Sequence, residues 1–262
     1  MGQDSGLPER GLRVEECTVE ADGLTLEATL ARPSGLTRTP GLVLCHGLPS
    51  GPRGASTYAA TYPELADRIS RDSGWTVLTL SFRGSGGSPG NFSIEGWRHD
   101  LRAAVEMLDA RDDINGVWIV GSSLGGSIAI CEAALDDRVR GVATWGAPAS
   151  LREWVREPGQ FVTHAHEVGL IADAEYPEDR DAWELEVAAL DPVAAAAKLA
   201  PRPLFVMHGS DDDVVPLSDA RALVDAAGPT ADLRVIHAAG HRLRHDPRAV
   251  AALLGWLDRQ LT

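Results

Sequence analysis

The stretch "VWIVGSSLGGSIAI", Val117 to Ile130, decides how this chain folds. Val117–Val120 is a short β-branched apolar run of the kind found in a buried strand. It halts at Gly121-Ser122-Ser123-Leu124-Gly125-Gly126, and the apolar run "SIAICEAAL" (127–135) reads as a helix. A serine displayed on a sharp strand-to-helix turn leaves no room for Cβ atoms two residues to either side. Gly121 and Gly125 meet that spacing around Ser123, whereas Val120 and Leu124 flank Ser122. A serine hydroxyl is a poor nucleophile alone. It needs a histidine to take its proton and a carboxylate to hold that histidine.

Working outward, Leu12–Val19 and Leu24–Leu30 alternate polar and apolar around Asp22-Gly23, which predicts an antiparallel hairpin. "GLVLC" (41–45) is a buried strand ending at His46-Gly47. Strands are predicted at 76–82, 139–147, 203–209 and 233–240, and helices at 96–110, 218–227 and 248–260. Apolar strands alternating with helices predict a mostly parallel sheet with both faces covered, an α/β fold. Residues 149–200 break the rhythm. They carry Trp154, Phe161, Tyr176 and Trp183 among many acids and read as a small helical cap insertion. The core domain is then 1–148 plus 201–262.

In such a sheet the functional crevice lies at the carboxyl ends of the strands. There the sequence places His46-Gly47-Leu48, Arg83 with "GSGGSPG", the Ser123 turn, "HGSDDDVVP" (208–216) and Gly240-His241. Together these four motifs (the Ser123 turn, His46-Gly47-Leu48, the aspartate loop and Gly240-His241) resemble the α/β-hydrolase fold family in its own serine–acid–histidine order. The resemblance runs from the first hairpin to the last helix. It implies Ser123 as nucleophile, Asp212 as orienting acid and His241 as general base. It also implies the backbone N–H groups of Leu48 and Leu124 as the oxyanion hole. Spacing alone leaves Asp211 and Asp213 open as the acid; the family pattern points to the residue four before Pro216, leaving the neighbours as turn or solvent residues.

Composition removes other classes. The formal charge of −14 opposes binding to nucleic acid or anionic membrane surfaces. Lys198 is the sole lysine and follows no glycine-rich loop, which excludes P-loop and lysine Schiff-base chemistry. Cys17, Cys45 and Cys131 form neither a disulfide framework nor a zinc motif. His237, His241 and His245 are spaced by four, but Gly240 and Pro247 interrupt any helix that could turn them into a metal face. His46 and His208 read as structural; His164 and His166, in the insertion, are candidates to line a pocket, with a surface position the simpler reading. "RGSGGSPG" (83–90) reads as a flexible loop, with Arg83 a candidate partner for Asp100. No apolar leader and no membrane-length segment occurs, so a cytoplasmic protein is expected. The resemblance implies a cofactor-free serine hydrolase acting on a small-molecule carboxylic ester. The cap's aromatics suggest an apolar or aromatic substrate group, as in feruloyl esterase-like enzymes. Peptidase or amidase, thioesterase and acyltransferase chemistry share the same triad.

Overall fold

A computed structural model describes residues 13–49, 51 and 54–261. Leu12, the expected start of the hairpin, and the N-terminal residues before it lie outside the described residues. The hairpin is β1 (Arg13–Ala21) and β2 (Leu24–Arg32). Asp22 (φ 51°) and Gly23 (φ 76°) both take the left-handed backbone that a tight two-residue turn requires. The other strands are β3 (Thr39–Cys45), β4 (Thr76–Leu80), β5 (Ile114–Ser122), β6 (Val139–Trp145), β7 (Leu204–Gly209) and β8 (Ala231–Ile236). They form one eight-stranded sheet in the order β1-β2-β4-β3-β5-β6-β7-β8. β1 and β2 are antiparallel to their neighbours, and every later pairing is parallel.

Side chains alternate across the pleat, so each strand feeds two cores. Val43 and Cys45 of β3 enter one core with Ile119, Val142 and Val206. Helices α3 (Ile94–Asp109), α4 (Leu124–Ala133) and α8 (Leu217–Ala227) cover that face. Leu42 and Leu44 enter the other with Val120, Phe205 and Met207, under α2 (Tyr62–Ser73) and α9 (Pro247–Asp258). This is the expected α/β architecture with two added helices that the sequence reading did not place, the short α1 (Ala55–Tyr58) and α2. In α2 the buried Tyr62, Leu65, Ala66, Ile69 and Ser70 follow helical spacing, Pro63 sits in its first turn, and Gly74 closes it at φ 78°.

The segment 83–90 is also not the flexible loop that its glycines suggest. Ser85 N–H donates to Phe82 O (2.9 Å), Gly86 N–H to Ala55 O (2.9 Å) and Ser88 Oγ to Ser81 O (2.6 Å). A Cβ on Gly84 would stand 2.2 Å from Leu170 O. Arg83 does pair with the fully buried Asp100: its N–H, Nε and Nη2 donate at 2.9, 3.0 and 2.6 Å.

Residues 149–200 hold a single 3₁₀ turn (Arg152–Val155), α5 (Gln160–Glu167), α6 (Arg180–Ala189) and α7 (Pro192–Ala196). α7 packs on α4 and α8. The rest is held by aromatic rings: Phe161 lies 5.6 Å from Trp154, 5.5 Å from Trp183 and 6.1 Å from Phe92, between ring centres. Two core residues tie this segment down. Phe92 N–H donates to Leu170 O (3.0 Å), and its carbonyl accepts from Trp183 Nε1 (3.2 Å). Asn91 Oδ1 accepts from the N–H groups of Ala172 and Asp173.

Candidate active site

β5 ends at Ser122, and α4 begins at Leu124, so Ser123 alone makes the turn. Its φ of 51° is a left-handed conformation that side-chain-bearing residues rarely adopt, and its N–H is fixed by Trp145 O at 2.7 Å. The glycines answer to contacts. A Cβ on Gly121 would meet Gly125 O at 2.4 Å, and one on Gly125 would meet His46 O at 2.1 Å. A Cβ on Gly47 would lie 2.7 Å from Ser123 Cβ. The His46-Gly47 loop therefore presses directly on the serine turn, a constraint the sequence reading did not identify. α4 starts earlier than predicted for the same reason. Gly125 and Gly126 are weak helix formers that the close approach demands, so propensity alone hides the first turn.

His46 locks the loop. It is fully buried; its Nδ1 hydrogen-bonds Gly47 O (2.8 Å), and its Nε2 accepts from Phe82 N–H (3.1 Å). Burial pushes its pKa down to about 4, opposed by the Gly47 bond and aided by the Arg244 charge. The Arg244 guanidinium lies 5.3 Å over the Tyr62 ring, which itself meets the His46 ring edge-on.

Asp212 and His241 come from loops after β7 and β8, and these loops are laced together. Ala238 N–H donates to Ser210 Oγ (2.8 Å) and Asp211 N–H to Ala239 O (2.9 Å). The lacing brings His241 Nδ1 to 2.8 Å from Asp212 Oδ2. Asp212 Oδ1 accepts from the N–H groups of Val214 (3.0 Å) and Val215 (2.9 Å). Burial works to raise the Asp212 pKa, but the His241 bond and those two N–H groups outweigh it and hold it low. Neither Asp211 nor Asp213 forms a hydrogen bond or ion pair with His241 among the described residues. Gly146, which sequence reading passed over, stands under the pair. At φ 58°, its added Cβ would lie 3.1 Å from His241 Nδ1 and 3.2 Å from Asp212 Oδ2. The visible signal was a glycine ending β6, next to the β5 turn in the sheet. His208 is fully buried behind Asp212, with Nε2 at 2.8 Å from Val215 O.

Ser123 and His241 line one cavity of about 1120 Å³. Among the described residues no hydrogen bond yet joins them; such links commonly tighten only when substrate is bound. Leu48, Pro49 and Gly51 also line this cavity. One wall is Trp154, Gln160, Phe161 and His164, so of the two readings of His164 the structure takes the pocket-lining one over the simpler surface one. Trp183 is buried within the ring cluster, and neither it nor Tyr176 lines the cavity. Among the described residues no group of His, Cys, Asp and Glu side chains is placed to hold a metal, and no helix is long and apolar enough to cross a membrane. The three cysteines are free thiols.

The sheet, its hairpin and the loops at its carboxyl edge agree with a match of residues 42–253 to the alpha/beta hydrolase family. The chain belongs to that family. Solved structures similar to it include the esterase Est1E of Butyrivibrio proteoclasticus (TM-score 0.70, 16% identity, 94% of this chain and 97% of that one). An esterase domain of a Rhodothermus marinus protein is similarly close (TM-score 0.69, 22% identity, 95% and 97%). At these identities they share the fold. In sequence, the chain is 32% identical over 173 residues to an uncharacterized protein of Mycobacterium tuberculosis, covering 64% of this chain and 53% of that protein. It is 26% identical over 213 residues to the lysophosphatidylserine lipase ABHD12 of Xenopus tropicalis, covering 76% and 49%. The chain thus spans about half the length of the curated relatives it matches. Family membership supports hydrolase activity.

Proposed function

We propose that this hydrolase cleaves a carboxylic ester through Ser123, His241 and Asp212. Ser123 Oγ attacks the acyl carbonyl carbon as its proton passes to His241 Nε2. The carbonyl electrons move to oxygen, which the backbone N–H groups of Leu48 and Leu124 receive. Leu124 opens α4, where a helix has unpaired N–H groups and a positive dipole end. The oxyanion collapses, the alcohol leaves with the His241 proton, and an acyl-serine remains. Water, deprotonated by His241, then releases the acid and restores the hydroxyl. Asp212 fixes the imidazole with Nε2 free to accept and stabilises its protonated form.

One observation carries this reading: His241, held by the buried Asp212 carboxylate at 2.8 Å, lines a cavity together with a serine held at φ 51°. Strained backbone of this kind persists where surroundings enforce it and clusters at reacting groups. The test is labelling by a fluorophosphonate together with turnover of short-chain 4-nitrophenyl esters. Wild type labels and turns over ester, and Ser123→Ala does neither. If wild type does neither, or if Ser123→Ala still labels and Ser122→Ala does not, the assignment fails.

A further inference from the structure

Several polar groups line the cavity, and some are already engaged. His241 is held by Asp212, and Asp246 is tied to Arg248 at 2.6 Å. Gln160, which is exposed, and His164, which is half-buried, sit one turn apart on α5 and both line the cavity; among the described residues neither side chain has a hydrogen-bond partner, as is also true of Asp213 and His245. Trp154 and Phe161 flank them on the same wall, and Phe161 is anchored by the rings behind it. We propose that α5 carries a hydrogen-bonding subsite, Gln160 and His164, that reads a hydroxyl group on a neutral ester substrate. This deepens the esterase reading and rests on it.

The chemistry of the pair selects the ligand. A glutamine amide offers both a donor and an acceptor, and the two ring nitrogens of an imidazole can serve a hydroxyl partner as well. A hydroxyl also donates and accepts, so one such group satisfies both side chains. A carboxylate or phosphate only accepts, and an ammonium only donates. The charge around the site points the same way. Arg242 and Asp213 both line the cavity and offset each other formally. His245, also a lining residue, is kept below its ordinary pKa by burial and by the charges of Arg244 and Arg242, so it is neutral at pH 7. The cavity thus gathers no cationic excess, while the whole chain carries −14 and repels anions from a distance. The neighbouring rings take the apolar part of the same substrate group.

Matched esters test this without any variant. At pH 8, kcat/KM is measured for 4-nitrophenyl hexanoate, 4-nitrophenyl 6-hydroxyhexanoate and the mono-4-nitrophenyl ester of adipic acid. A second set places the same three end groups on the alcohol side of acetate esters. In one of the two sets the hydroxylated ester is favoured about tenfold over its deoxy analogue, as a half-open hydrogen-bonding site allows, and the carboxylate is the poorest. Gln160→Met and His164→Phe, which keep bulk, each bring that ratio toward one, and the double variant abolishes it. A wild-type ratio near one in both sets, or a preference for the carboxylate, overturns the subsite. So does a ratio that survives the double variant. If instead no ester is turned over and Ser123 is not labelled, the hydrolase reading falls.

Discussion

The serine turn and the wall of α5 border one cavity, yet they are specified in opposite ways. Around Ser123 the backbone decides: main chain meets main chain so closely that Gly121 and Gly125 have no space for a methyl group. On the α5 wall the side chains decide: Trp154, Phe161, Trp183 and Phe92 pack ring against ring, and the backbone follows. The lesson is that a position fixed by backbone approach tolerates no addition, while a position fixed by side-chain packing tolerates a change that keeps volume.

The largest effect belongs to the turn itself. Ser123→Ala lowers kcat by at least about 10⁴-fold with the fold intact, measured with a 4-nitrophenyl ester and by thermal melting. Gly125→Ala comes next and acts on stability. One methyl group driven against His46 O costs about 3 kcal/mol, lowering Tm by roughly 6 °C or more. If Gly125→Ala melts with wild type, the turn is not fixed by backbone contact and the contrast breaks.

The loop beneath the turn adds a pH dependence of similar size. His46 resists protonation down to about pH 4 when folded, whereas an unfolded histidine binds its proton near 6.5. The unfolded chain therefore binds more protons between those values. Stability is fully present above pH 6.5 and is lost as pH falls toward 4, by about 3 kcal/mol. Comparing Tm at pH 7.5 and pH 5 shows this, and His46→Asn flattens that part of the dependence. Gly146→Ala is gentler. Its methyl group displaces the His241–Asp212 pair by a fraction of an ångström, and kcat falls about tenfold to a hundredfold with KM little changed.

The smallest effect lies on the α5 side. Trp183→Phe keeps the ring and loses the bond to Phe92 O, which costs about 1 kcal/mol in a thermal melt. A loss from Trp183→Phe greater than that from Gly125→Ala reverses the contrast.

The same division explains what could be read from the sequence. The hairpin, the parallel strands and the Ser123 turn were legible because turn sterics and two-sided burial restrict residue type at Asp22-Gly23, in "GLVLC" and at Gly121. α2 carried an equally regular pattern but a polar composition, which weakens the apolar signal that marks the other helices. Segment 83–90 was misread because its glycines serve close packing against Glu27 and Leu170, which local composition does not disclose. Gly146 was missed, and a surface position was preferred to a pocket-lining one for His164, because the deciding partners are distant in sequence. Only the assembled fold places His241 above one and the cavity beside the other.

Asn91 and Phe92 carry a consequence for engineering. Residues 149–200 invite exchange as a cassette between relatives, with junctions drawn at either end of the segment. The contacts that seat it, however, come from outside those junctions: one amide oxygen, one main-chain N–H and carbonyl, and one ring, all within two residues of the core. A transplant needs this dipeptide as its socket. A recipient lacking it offers the transplanted segment no defined seat, and a chimaera carrying both pieces keeps the wall in register with the serine.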